Sequence, residues 1–269
     1  MKKLNQHFGN ILSPTIPSLL AALCSSCLLI ILQWPNLQKL TAASDVVSQD
    51  ALKRQLDQEQ LRLALWKQMP SLGFDNLLAD WTFLSFLQYF GDDEVRLQTG
   101  YTLSPNYFEA LLDKDPYFWD AYLFLSGSTT LYAGQPKRTI EIMEQHLPQL
   151  SPKVPDRAYF IWRWKSVDEL LFLDDVEAAI NSHMMASQWA AEYDTEEGQM
   201  VARVSQQSAQ FLRENPADKS VQINAWMSIY VNAFDTKTQQ FAIDNIRSLG
   251  GDVVLDEDGN VIDVQIPEN

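Results

Sequence analysis

Leu52, Leu56, Leu63 and Trp66 recur close to the 3.6-residue period, while Lys53, Arg54, Asp57, Glu59 and Arg62 fall on the other side. That alternation predicts an amphipathic helix over 45–69, with one apolar face and one solvated face. Gly and Pro do not occur in it until Pro70, and it is rich in Leu, Gln, Lys and Arg, which lose little freedom in a helix. The next run, Gly73–Gly91, reads GFDNLLADWTFLSFLQYFG, with Asp75 or Asn76 as the expected cap. From Leu77 to Phe90 it is apolar almost all round, which implies burial between neighbours in a soluble body. Asp80 interrupts the run and is expected to cap, to pair with a base such as Arg96, or to hydrogen-bond a tyrosine. Ser104-Pro105 then opens a helix to Asp113, with Ser as the cap and Pro in the first turn.

A second aromatic-rich helix, Phe118–Gly134, reads FWDAYLFLSGSTTLYAG. Both runs carry a large ring, Leu three places on, and Ser directly after it: Trp81, Leu84, Ser85 and Tyr122, Leu125, Ser126. Recurrence of one supersecondary unit in this way predicts a helical array in which each pair buries its apolar face on its neighbours. Further on, Pro148, Pro152 and Pro155 bracket a connector, Asp156 is expected to cap a helix from Arg157 to Leu173, and Asp174-Asp175 to cap its partner. Asp194 or Thr195 starts Glu196–Glu214, and Ser220–Phe234 and Thr236–Leu249 form a last pair, stopped by Gly250-Gly251. The β-branched residues on both sides of Asp258-Gly259 predict a hairpin over Val253–Val264. A calcium loop with Gly259 at its sixth place would need acids where Val254 and Gln265 stand.

On these residues the chain resembles the tetratricopeptide repeat. Pro116 stands as the repeat-ending proline, Tyr122 at the first-helix aromatic position, Leu125 and Ser126 in place of Leu and Gly, and Gly134 near the interhelix turn. Thr139-Ile140, Met143 and His146-Leu147 follow on the second helix. Ser126 and Thr139 are bulkier than the family's usual small residues. The block GFDNLLADWTFLSFLQYFGD with SPNYFEALLDKDPYFWDAYLFLS is also similar to membrane-anchored tetratricopeptide-like proteins of bacteria, cyanobacteria among them, over about residues 70–150. The resemblance implies a scaffolding or assembly role for a membrane complex, a photosynthetic one included. It carries over no functional residues, because the repeat motif specifies packing and not a ligand.

The N-terminal tail, 1–15, leads into Ile16–Leu32, which is uncharged throughout and extended to Trp34, so that 16–34 predicts a transmembrane anchor at the short limit of length. A cleavable signal is the alternative, with Thr41-Ala42-Ala43 as its best small-residue site. Lys2 and Lys3 before the span, against Lys39 after it, place the N-terminus inside and the body on the far, periplasmic or lumenal, side. Cys24 and Cys27 lie within the span, read as small polarizable residues and not as a redox pair. The body holds no cysteine.

Charge then narrows the partners. The chain has a formal net charge of −15 at pH 7, and its first acidic residue is Asp45. An acidic body repels nucleic acid and anionic lipid. No Walker loop, dinucleotide fingerprint or nucleophile elbow occurs. His7, His146 and His183 are scattered, and Asp92-Asp93 and Asp174-Asp175 sit at helix boundaries where carboxylates favour the dipole. The expectation is therefore a non-enzyme with no cofactor, no metal and no small-molecule substrate, binding another protein. Trp162, Trp164, Arg157 and Arg163, with Lys165 beside them, form the main basic and aromatic cluster and the favoured partner surface, joined by Asp120 and Phe124 of the preceding helix. In sum, the sequence predicts an all-α, tetratricopeptide-like helical-repeat solenoid over 73–250. A docking helix at 45–69 precedes it and a small β-hairpin at 252–265 follows. The alternatives are a constitutive subunit of a large membrane complex and an envelope hydrolase built from scattered carboxylates such as Asp80, Asp92 and Asp120.

Overall fold

Apolar residues at helical spacing meet one another along almost the whole chain, and the computed structural model, which describes residues 23–34, 49–215, 218–233, 235–255 and 261–266, is mostly helical. The chain divides into two units at Ser48/Gln49. In the first, residues 23–34 form helix α1, in which Cys24 and Cys27 are exposed free thiols. The expected membrane span lies partly outside the described residues. Among the described residues no helix is long and apolar enough to cross a membrane.

The second unit begins with α2 (Gln49–Gln68), α3 (Asp75–Phe90), α4 (Asp93–Thr99) and α5 (Ser104–Leu112). Helix α6 (Trp119–Leu125) runs on into a π-helical stretch, Ser126–Tyr132, before α7 (Pro136–His146). The helices α8 (Tyr159–Phe172), α9 (Val176–Ala191), α10 (Glu196–Glu214), α11 (Ser220–Asn232) and α12 (Thr236–Ser248) follow, then strands β1 (Asp252–Leu255) and β2 (Val261–Gln265). Consecutive helices pack side by side, as in α8 on α9, α9 on α10 and α11 on α12. Helices two or more elements apart also meet: α3 on α5, α5 on α7, α6 on α8 and α8 on α11.

The main core is built from aromatic rings on those faces. Phe86 of α3 lies 4.6 Å from Phe108 of α5, Tyr89 is 5.1 Å from Tyr107, and Phe83 is 5.0 Å from Phe118. Such tilted contacts exploit the ring quadrupole in addition to the area removed from water. Around them Leu111, Leu125, Met143 and Ile161 are fully buried. Helix α2 joins through buried Leu52 and Leu63 and through Lys67, which pairs with Glu109 of α5 at 3.2 Å. A smaller core sits at the C-terminal end, where Ile223, Trp226, Ile243 and Ile246 receive Val253 of the antiparallel β1–β2 pair. The two strands flank the expected turn at Asp258-Gly259, which lies outside the described residues.

Side-chain caps close several starts as the sequence suggests: Asp175 accepts from the Ala178 amide at 2.9 Å and Thr195 from Gly198 at 3.1 Å. Other expected caps differ. Helix α3 starts after Phe74 with no side-chain cap from Asp75 or Asn76, and Ser104 is a fully buried first-turn residue behind Leu103. Asp156 does not cap α8, which starts only at Tyr159 after Ala158. There the connector turns through Arg157 at φ +60, a left-handed backbone that an ordinary residue holds only when its surroundings require it. Asp80 is exposed and unpaired with Arg96, whose guanidinium instead stacks 3.9 Å from the Tyr89 ring centroid and donates to the Gly100 carbonyl.

A clasp spans the second unit. The Tyr132 hydroxyl donates a 2.6 Å hydrogen bond to Asp235 Oδ2, and the same carboxylate caps α12 through the Thr238 amide at 2.8 Å. Burial opposes the charge of Asp235, yet the hydroxyls of Thr238 and Tyr132 hold its carboxyl below the usual range.

Candidate functional site

Helix α3 is apolar on two opposite sides, and only one of them is covered. Ala79, Thr82, Phe86 and Tyr89 point into the core, with Ala79 and Phe86 at 0% exposure. Rotated half a turn away, Leu77, Trp81 and Leu84 stand at i, i+4 and i+7 and remain 62%, 56% and 55% exposed. Exposed Phe74 continues the row at its N-terminal end. Toward α2 the side is closed, since the cleft between Trp66 and Trp81, Thr82 and Ser85 holds only about 10 Å³, space for a single water. On the α6 side of α3, Phe83 packs on the half-exposed ring of Phe124 at 5.2 Å, and Leu123 beside it is exposed. Expected burial all round α3 is thus met on the inner side only.

Carboxylates border one edge of this face, at Asp80, and gather around it. Asp80 is exposed on α3, and Asp75 lies in its first turn. Asp115, ahead of α6, is raised above the usual carboxylate range by burial and by the charges of Asp80 and Asp75, while the Tyr117 amide bonded to it works the other way. None of the three forms an ion pair among the described residues, whereas the nearby bases of α2 are engaged: Arg62 by Glu59, Lys67 by Glu109 and Asp113.

The residues singled out in the sequence do not converge. Trp162 and Trp164 leave α8 on different sides, Trp162 meeting Trp189 of α9 at 5.7 Å and Trp164 meeting Trp119 of α6 at 5.1 Å. They wedge helices together instead of lining one groove. Arg157 is held at backbone and side chain: its amide donates to the Tyr193 hydroxyl at 2.8 Å, its carbonyl accepts from Trp119 Nε1 at 3.2 Å, and its guanidinium pairs with Glu197. Lys165 is buried against Glu169 and Glu144. Arg163 is half-buried with no ion pair among the described residues, and burial lowers its pKa. The basic cluster is therefore largely spent inside the fold. Of the six residues, Asp120 and Phe124 on α6 are exposed, and Phe124 packs on Phe83 and Phe86 of α3.

Sequence reading missed a buried polar seam on α8. Ser126 Oγ, at the start of the π-helical stretch, donates to Asp168 Oδ1 at 3.0 Å, and Ser182 Oγ donates to Glu169 Oε2 at 2.6 Å. Asp168 is 1% exposed, and burial pushes its carboxyl up to about 7, assisted by the charge of Glu169 and opposed by the hydroxyls of Ser126 and Thr130. His183, across from Ser166 at 3.5 Å, is lowered to about 4 by burial and by the Arg163 guanidinium. The seam ties the π-helical stretch, α8 and α9 together and presents its carboxyls to the interior. Its only signal in the sequence is Ser126-Gly-Ser-Thr-Thr130, residues whose hydroxyls compete for backbone partners and disfavour a regular helix. His146 and His183 sit on different helices, His146 bonded to the Ile142 carbonyl at 2.8 Å, and no group of three metal-ligating side chains occurs among the described residues. No protein-family model matches the chain, and no curated protein or solved structure is significantly similar to it.

Proposed function

We propose that the protein is a membrane-anchored, tetratricopeptide-like helical-repeat scaffold that binds another protein and aids the assembly or stability of a membrane complex. The observation that carries this reading is the bare row Leu77, Trp81 and Leu84, large apolar side chains left in water on a helix whose other side is fully packed. Contiguous exposed apolar surface of this kind marks an interaction site. Neighbour-on-neighbour helix packing and the tetratricopeptide-like residues at Pro116–Leu147 support the repeat part, and the uncharged run at Ile16–Leu32 supports the anchor, with the body on the periplasmic or lumenal side. The resemblance of residues 70–150 to membrane-anchored tetratricopeptide-like proteins, cyanobacterial ones among them, is the ground for proposing a photosynthetic membrane as the first place to look.

A photo-crosslinking residue at Leu84, with a control at Leu97 on α4, tests this in native membranes. The expected result is a protein adduct at Leu84 alone, together with depletion of one membrane complex when the chain is removed. Normal levels of every membrane complex in its absence would overturn the reading.

A further inference from the structure

We propose that the bare side of α3 receives a basic amphipathic helix of another protein, its apolar stripe laid along Leu77, Trp81 and Leu84 and its lysines or arginines set against Asp80 and Asp115. This rests on the scaffold reading above and names the chemistry of the partner. The row of side chains at i, i+4 and i+7 is itself a helix ridge, about 10 Å long from Leu77 to Leu84 at 1.5 Å per residue, and such a ridge packs into the groove of a second helix. Recognition of a helix by an apolar surface uses anchors at this same spacing.

Charge decides which helix. Asp75, Asp80 and Asp115 form no ion pair among the described residues, and Asp115 feels the other two. Of the four bases on α2, Arg62 and Lys67 in its C-terminal half are already held by Glu59, Glu109 and Asp113, and Lys53 and Arg54 lie in its first half. A basic partner meets unneutralised acid here, which steers encounter and fixes orientation. A second copy of the chain would bring the same carboxylates face to face on a molecule of net charge −15. An anionic lipid surface meets the same repulsion. The chain's own residues 35–48 carry one base, Lys39, against Asp45, and do not answer the charge.

The test is fluorescence anisotropy of a labelled synthetic helix of about 18 residues, long enough to hold helical structure, titrated with the full-length chain. Three peptides share one leucine stripe and carry Lys, Gln or Glu on its flanks. The Lys peptide is expected to bind tightest, to weaken several-fold with Asp80→Lys and with rising salt, and to weaken about tenfold or more with the charge-neutral pair Leu77→Gln/Leu84→Gln. Equal binding of the Gln or Glu peptide would overturn the charge argument and leave the scaffold reading standing. Binding of the Lys peptide unaffected by Leu77→Gln/Leu84→Gln would show nonspecific attraction to an acidic protein and would overturn the site. If no peptide binds while Leu84 still crosslinks to a protein, the partner is not a helix and this inference alone falls. A concentration-dependent dimer that the Leu77→Gln/Leu84→Gln variant loses would assign the face to a second copy and overturn it as well.

Discussion

Ser126 Oγ donates a 3.0 Å hydrogen bond to Asp168 Oδ1, joining the π-helical stretch after α6 to the buried side of α8. The carboxyl it reaches is pushed up to about 7 by burial, so the folded chain keeps a proton there that an unfolded aspartate sheds near pH 4. The folded state then binds more protons than the unfolded state between about pH 4 and 7, and the contribution of Asp168 to stability falls as pH rises through that window. His183, lowered to about 4 by burial and Arg163, has the opposite sign: its contribution is lost as pH falls from about 6.5 towards 4. Denaturant titrations of Asp168→Asn against the parent from pH 5 to pH 8 are expected to show the variant gaining about 1–4 kcal/mol relative to the parent toward pH 8. A gap independent of pH would mean that Asp168 ionises as an ordinary aspartate.

The two sides of α3 separate in the same assay. Phe86→Ala empties a fully buried ring position among Tyr107 and Phe108 and is expected to cost about 3–5 kcal/mol. Leu84→Gln, on the bare side, should change stability by no more than about 0.5 kcal/mol. A large loss at Leu84 in the isolated chain would mean that this side is covered from within.

Lys165 and Glu169 face each other inside the fold, and Ser182 also bonds Glu169. Glu169→Gln leaves buried Lys165 with only the solvent-exposed Glu144 at 3.2 Å, so it is expected to lose about 3 kcal/mol by urea denaturation. The apolar pair Lys165→Met/Glu169→Leu should recover most of that loss, and a double change as costly as the sum of the single changes would refute the coupling.

Arg163 has the reverse character, a half-buried cation with no ion pair among the described residues. Arg163→Met is expected to leave stability unchanged or raise it slightly, since no carboxylate is stranded. It should also move the His183 pKa upward by removing a nearby positive charge, which an NMR titration of the imidazole reads directly. An unmoved His183 would show that burial alone sets it.

Glycine matters at one helix start. A Cβ on Gly198 would lie 2.5 Å from the Tyr193 Cβ and 3.1 Å from the Ala190 carbonyl, so Gly198→Ala should destabilise the α9–α10 pairing by about 1–3 kcal/mol in thermal melts. Gly127, in the π-helical stretch with nothing within 4 Å of such a Cβ, is expected to accept Ala with no loss. Equal effects at the two sites would argue against the close approach.

Helix positions were legible in the sequence because apolar spacing such as that of Leu52, Leu56, Leu63 and Trp66 encodes them locally, and Thr195 and Asp175 announce their own helix starts. The strand pair was legible from β-branched residues around a single Asp-Gly. The disposition of α8 was not. Trp162, Arg163, Trp164 and Lys165 are consecutive in a basic and aromatic cluster, but successive helical residues point about 100° apart, so their side chains go to α9, to α6 and to the interior. The π-helical stretch was not legible because the hydroxyls of Ser126-Gly-Ser-Thr-Thr130 only disfavour a regular helix locally and do not specify a widened turn where the chain meets α7 and α8. Leu77, Trp81 and Leu84 were read as buried because an all-apolar helix cannot say which of its sides finds a neighbour.

A row of helices stabilised only by adjacent contacts unravels from whichever end is weaker. The Tyr132–Asp235 bond changes that here, since the carboxylate that starts the last helix is also gripped by a side chain 103 positions earlier. Fraying of α12 must therefore break a contact with the middle of the chain. The far end is buttoned to the middle.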